Sequence, residues 1–160
     1  MLPVLAPARR CFLTPIPQLS TAADLLASAA DCLWVGDAAN ARQLIARADM
    51  PVIAAYTSLV TGSVNPLVHW QSAMPTVGTE FERSAQRMPP ASSERAIYVR
   101  DGWRCRYCGT RVIDRSMRTR LNRCLPDVAR WGARNVDKHA ALAALSASLD
   151  HVVPHSRGGT

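Results

Sequence analysis

A chain of 160 residues has room for one ordinary domain or two small ones, and 48% hydrophobic with 19% charged residues is a globular composition, not a disordered one. No apolar run approaches the ~20 residues needed to span a bilayer. The net charge of +7 is unevenly divided: residues 1–82 carry 4 basic and 6 acidic side chains, whereas residues 83–160 carry 15 basic and 6 acidic, 14 of the basic ones being Arg.

Met1 to Arg10 makes a poor secretory signal, because Pro3 and Pro7 break its short apolar stretch and the arginines follow that stretch. Residues 1–19 read as a loose extension of a cytoplasmic protein. Thr21 to Asp24 resembles a capping box and opens a helix through Leu25, Leu26, Ala29, Ala30, Leu33 and Trp34, which Gly36 stops. Asp37 opens a second helix through Leu44, Ile45 and Ala48, ending near Asp49. Pro51 suits the first position of a third, over about residues 51–60. Residues 20–60 are thus a helical hairpin without chemistry of its own, in which Trp34 and Tyr56 serve packing and Cys32 lies in the core.

Residues 61–92 lose periodicity and gather Gly and Pro, which marks a linker or irregular loop; His69 within it reads as solvated. From residue 93 the chemistry begins. Ser92 or Ser93 can cap a helix from Glu94 to about Arg100, with Ile97 and Ala96 facing inward. Trp103-Arg-Cys105 and Thr110-Arg-Val-Ile113 read as two short strands joined by Cys105-Arg106-Tyr107-Cys108-Gly109. From Asp114 to Leu149 helical stretches follow, with breaks at Gly132 and Asn135 and a last helix from Val136 to Leu149 that leads into a strand to Pro154. His139 reads as a helix-surface residue.

Of five cysteines only Cys105 and Cys108 stand at ligand spacing; Cys11 and Cys124 have no partner in sequence. Without an export signal, Cys-x-x-Cys more often holds metal than a disulfide. Two thiolates supply half of a tetrahedral zinc site, so zinc held by this pair alone is weak. Asp150-His151 pairs a carboxylate that can ligate a hard divalent ion with an imidazole that can take a proton from water. Its other reading is a surface Asp and a satisfied His at a strand start.

In this order the two signals resemble the HNH endonuclease family, in the branch whose ββα-metal motif follows a zinc knuckle. The resemblance rests on Arg100 to Gly109 and Leu149 to Gly159 and covers roughly residues 94–160. It implies an α+β fold, with the helical hairpin preceding a partial ββα-metal domain that carries the knuckle and a helical insertion. It also implies His151 as the general base, Asp150 as a ligand of the catalytic divalent ion (magnesium, manganese or nickel), and Cys105 and Cys108 as ligands of a structural zinc. DNA is the implied partner. Arg157, Arg104 and Arg106 are candidate phosphate contacts, and His155 is a possible auxiliary ligand.

The chain departs from the family in two ways. Forty-one residues separate Cys108 from Asp150, longer than the usual spacer. The Asn, second Cys-x-x-Cys and final His that follow the glycines in family members are not present before Thr160. The expectation is therefore the front half of a nuclease domain, inactive or nearly so by itself. The alternative is a non-catalytic zinc-containing nucleic-acid-binding fragment.

Overall fold

The computed structural model describes residue 11 and residues 13–61 and 88–149. Asp150, His151, His155 and Arg157, together with His69 and most of the expected linker, lie outside the described residues.

The described chain is mostly helical: α1 (Pro17–Trp34), α2 (Ala38–Ala48), α3 (Pro51–Thr61), α4 (Ala91–Arg100), α5 (Arg115–Cys124), a 3-10 turn (Asn135–Asp137) and α6 (Ala140–Ala144). Helix α1 starts four residues before the expected Thr21, so the apparent capping box lies inside it. Pro17 occupies its first turn behind an extended Ile16, with no side-chain cap; a proline there loses no intrahelical hydrogen bond and presets φ. The sequence reading of α2 holds closely. Asp37 caps it by accepting from Asn40 N–H at 3.0 Å, and the turn before it passes through Gly36 at φ +82°, a left-handed conformation that costs a side-chain-bearing residue energy. Helix α4 begins at Ala91 behind Pro90 without a side-chain cap, and it buries Tyr98 while Ala96 is exposed.

Two apolar clusters join α1, α2 and α3 to α5, α6 and the segment between them. The first joins Leu19, Ala22 and Ala23 of α1 with Ala48, Ile53, Ala140, Ala141 and Leu145. The second joins Ala29, Ala41 and Ile45 with Leu121, Leu125, Ala129 and Leu142. Each therefore mixes residues of the N-terminal helices with residues beyond Cys108. Ile45, Ile53 and Leu142 are fully buried, each worth about 1.5–3 kcal/mol of transfer free energy.

Trp34 corrects the packing expectation: it is 92% exposed. The apolar stripe of α1 runs through Ala29 and Leu33 into the second cluster, and Trp34, one position on, shares its face with exposed Ala30. Tyr56 does pack, against the first cluster, and half-buried Cys32 packs against the second.

The region after α5 differs most. In place of a helix from Val136 to Leu149 stand the 3-10 turn and a five-residue α6. Lys138 ends the one and His139 caps the start of the other. His139 is fully buried, contrary to the surface position expected of it. Its Nδ1 accepts from Leu142 N–H at 3.3 Å, as a helix N-cap does, and its Nε2 donates to Ile45 O at 2.9 Å. Beyond α6, Ile113 captures the chain: Ile113 N–H donates to Leu145 O and Ala147 N–H donates to Ile113 O, both at 2.8 Å. This parallel bridge ends the helix.

Candidate metal centre

The Cys-x-x-Cys turn follows α4 directly. Gly102 (φ +61°) and Trp103 (φ +55°) both take left-handed backbone conformations, which for a tryptophan costs energy of order 1 kcal/mol or more. Neighbouring contacts hold it there. Trp103 N–H donates to Tyr98 O at 2.9 Å, Val112 N–H donates to Trp103 O at 2.9 Å, and the Trp103 and Tyr98 rings stand 5.5 Å apart. The two expected strands are reduced to one antiparallel bridge, Arg104 with Arg111. The turn itself is closed by Cys105 N–H donating to Thr110 O and Gly109 N–H donating to Cys105 O, both at 2.8 Å, with Gly109 at φ +72°. Arg104 Nη1 adds a bond to Gly109 O at 3.0 Å. Arg111 pairs with Asp24 and so ties the turn to α1.

The turn brings Cys105 and Cys108 together as the spacing implied, and the fold adds a third thiol. Cys11 Sγ lies 3.9 Å from Cys105 Sγ, across 94 residues of sequence. The sulfurs of Cys11, Cys105 and Cys108 all lie within 4.8 Å of one another and each cysteine is half-buried. Tetrahedral zinc–sulfur bonds of ~2.3 Å put ligand sulfurs about 3.8 Å apart. The donor set therefore fits a soft or borderline metal ion, and its three cysteines can hold one.

Electrostatics separates Cys11 from Cys108. Burial, the Cys108 hydrogen bond and the nearby charges of Cys105 and Cys108 push the Cys11 thiol up to about 12. Burial raises Cys108 too, but hydrogen bonds with Thr110 (its Oγ1 is 3.3 Å from Sγ) and with Cys11 and Cys105 outweigh it and lower this thiol. Closely packed thiols resist joint ionisation, and a bound cation relieves that repulsion. Tyr56, raised first by burial and then by Cys11 and Cys108, borders the cluster.

Cys124 is exposed at the end of α5 and is not in the cluster. Arg104 and Arg106 are exposed on the turn. Sequence reasoning missed Cys11, and only its status as an odd cysteine in a chain with one ligand pair pointed to it. Asp150 follows Leu149, the last described residue, so the bridge to Ile113 lies within a few residues of it in sequence. No helix among the described residues is long and apolar enough to cross a membrane. No family model, curated protein or solved structure matches the chain.

Proposed function

We propose that the chain is an HNH-type, metal-dependent endonuclease acting on DNA phosphodiester bonds, with a structural zinc held by Cys11, Cys105 and Cys108. The observation that carries the reading is the three-thiol cluster at the Cys-x-x-Cys turn, inside the half of the chain that holds 14 of the arginines among its 15 basic residues. When bound there, zinc supplies a cross-link between the segment of Cys11 and the turn, a structural role that thiolate-rich sites commonly play. In this reading Asp150 ligates a divalent ion, magnesium, manganese or nickel, that supplies Lewis acidity toward the scissile phosphate. His151 takes the proton of the attacking water. Arg104, Arg106 and Arg157 hold the DNA backbone.

A second reading is a non-catalytic zinc-containing nucleic-acid-binding protein, which the three-thiol cluster and the exposed Arg104 and Arg106 beside it serve without any catalytic pair.

The test is nicking of supercoiled plasmid with each of the three ions, beside duplex binding measured across a salt series. The nuclease reading expects cleavage once the family's downstream Asn and His are joined to the chain, cleavage that His151→Ala abolishes while DNA affinity stays, and affinity that falls steeply with salt because counterions are released. Binding without cleavage above the His151→Ala background supports the second reading. Absence of DNA binding at low salt overturns both.

A further inference from the structure

A cleft of about 480 Å³ lies between α3 and the segment running from α5 to Ser146. It shares no residue with the three cysteines. Its charged lining is Asp49, Arg118, Arg130 and Lys138, a net charge of about +2 at neutral pH. Asp49 is already committed: its oxygens accept from Arg130 Nη2 at 2.5 Å and from Ala140 N–H at 2.6 Å.

Arg118 and Lys138 have no carboxylate partner among the described residues. Both are nevertheless held in place. The Arg118 guanidinium lies 3.7 Å above the Trp131 ring. One of its N–H groups donates to Ser146 Oγ at 2.8 Å, and that hydroxyl donates to Leu142 O at 2.7 Å. Its other N–H groups have no hydrogen-bond acceptor among the described residues. Lys138 Nζ sits 5.2 Å from the same ring and donates to Asn135 Oδ1 at 2.8 Å. Both cations lie on the Trp131 ring and line the same cleft, and burial, followed by the Arg115 charge, disfavours the charged Arg118 guanidinium; an anion in the cleft offsets this. Because both cations are positioned beforehand, little ordering is needed when an anion binds.

Helix α3 lines the cleft with Thr57, Ser58 and Thr61. Their hydroxyls donate to carbonyls of their own helix, so the oxygens are left to accept. The cleft thus combines cationic donors with a row of hydroxyl acceptors.

We propose that this cleft holds the phosphomonoester of a nucleotide-sized ligand. Arg118 and Lys138 take the phosphate, and the α3 hydroxyls accept from the ligand's hydroxyl or amino groups. A phosphomonoester carries roughly −1.5 to −2 charges at neutral pH, which matches the lining, whereas a backbone diester carries about one. The volume falls in the range of small-ligand sites. A free nucleotide and the 5′-phosphorylated end of a nucleic acid both present this group.

Calorimetric titration of the full chain separates these sources. The probes are adenosine monophosphate against adenosine, and a short single-stranded oligonucleotide with and without a 5′-phosphate. The phosphorylated member of at least one pair binds about tenfold or more tighter than its counterpart. Arg118→Gln and Lys138→Gln each remove that advantage, and Arg123→Gln, exposed on α5 outside the cleft, leaves it. A preference within the monophosphate pair assigns a free nucleotide; one confined to the oligonucleotide pair assigns a strand end. Circular dichroism checks folding, and if Arg118→Gln is misfolded, Lys138→Gln decides alone. Equal binding within both pairs overturns the proposal, as does an advantage that survives Lys138→Gln.

Discussion

Replacing His139 with alanine tests the joint between the N-terminal helices and the region beyond Cys108. The imidazole is fully buried, and its Nε2–H satisfies Ile45 O at 2.9 Å while its Nδ1 caps α6 at Leu142 N–H. Alanine removes both bonds. An orphaned buried carbonyl costs about 1–3 kcal/mol, and loss of an N-cap about 1 kcal/mol. The void left by the ring adds to these, as in other large-to-small core changes. The expected total is about 3–5 kcal/mol, a large part of the ~5–15 kcal/mol that stabilises a typical domain. At this chain length it lowers Tm by roughly 10 °C. Urea denaturation followed by circular dichroism measures it. His139→Asn keeps a capping oxygen but cannot span to Ile45 O, so it falls between the native chain and His139→Ala. A His139→Ala loss below ~1 kcal/mol, the range of an ordinary surface substitution, would refute the assignment of His139 as a buried strut.

Asp49 supplies a pH prediction. Burial raises its carboxyl, but hydrogen bonds from the Ala140 N–H and Arg130, with the Arg130 charge, outweigh it and hold the group below the usual carboxylate range. A carboxyl lowered on folding contributes stability above its unfolded value of about 4 and loses it as pH falls through the folded value. Asp49→Asn therefore costs about 1–2 kcal/mol at pH 7, and the gap to the native chain narrows below about pH 4; a gap that is constant from pH 7 to pH 3 contradicts this. Gly132→Ala places a Cβ against the Asp137 side chain, and the resulting overpacking costs about 1–3 kcal/mol in a denaturant melt. An unchanged melt would mean that the Asp137 segment yields freely.

What could be read from the sequence was local. Asp37, Gly36 and Pro51 sit beside the boundaries they set, and all three act where the pattern placed them. The start of α1 was hidden because Ile16 makes no side-chain cap and Pro17 reads equally well as loop. The short α6 was hidden because its end depends on Ile113, more than thirty residues earlier in the chain, which donates its N–H to Leu145 O and accepts from Ala147 N–H at its carbonyl. His139 carries no helical-face signal for burial, since its partner Ile45 O lies 94 residues away. The metal centre divides in the same way. Cys105 and Cys108 announce themselves by spacing, while Cys11 joins them only through the fold.

The direct test of the metal centre is X-ray absorption at the zinc edge on the zinc-loaded chain and on Cys11→Ser. Three sulfur ligands at about 2.3 Å are expected in the native chain and two in the variant. Structural zinc binds with roughly 10–16 kcal/mol over four ligands, so losing one thiolate weakens affinity about a hundredfold. Two sulfurs in both proteins, or equal zinc affinity with and without the Cys11 thiol, would contradict the assignment.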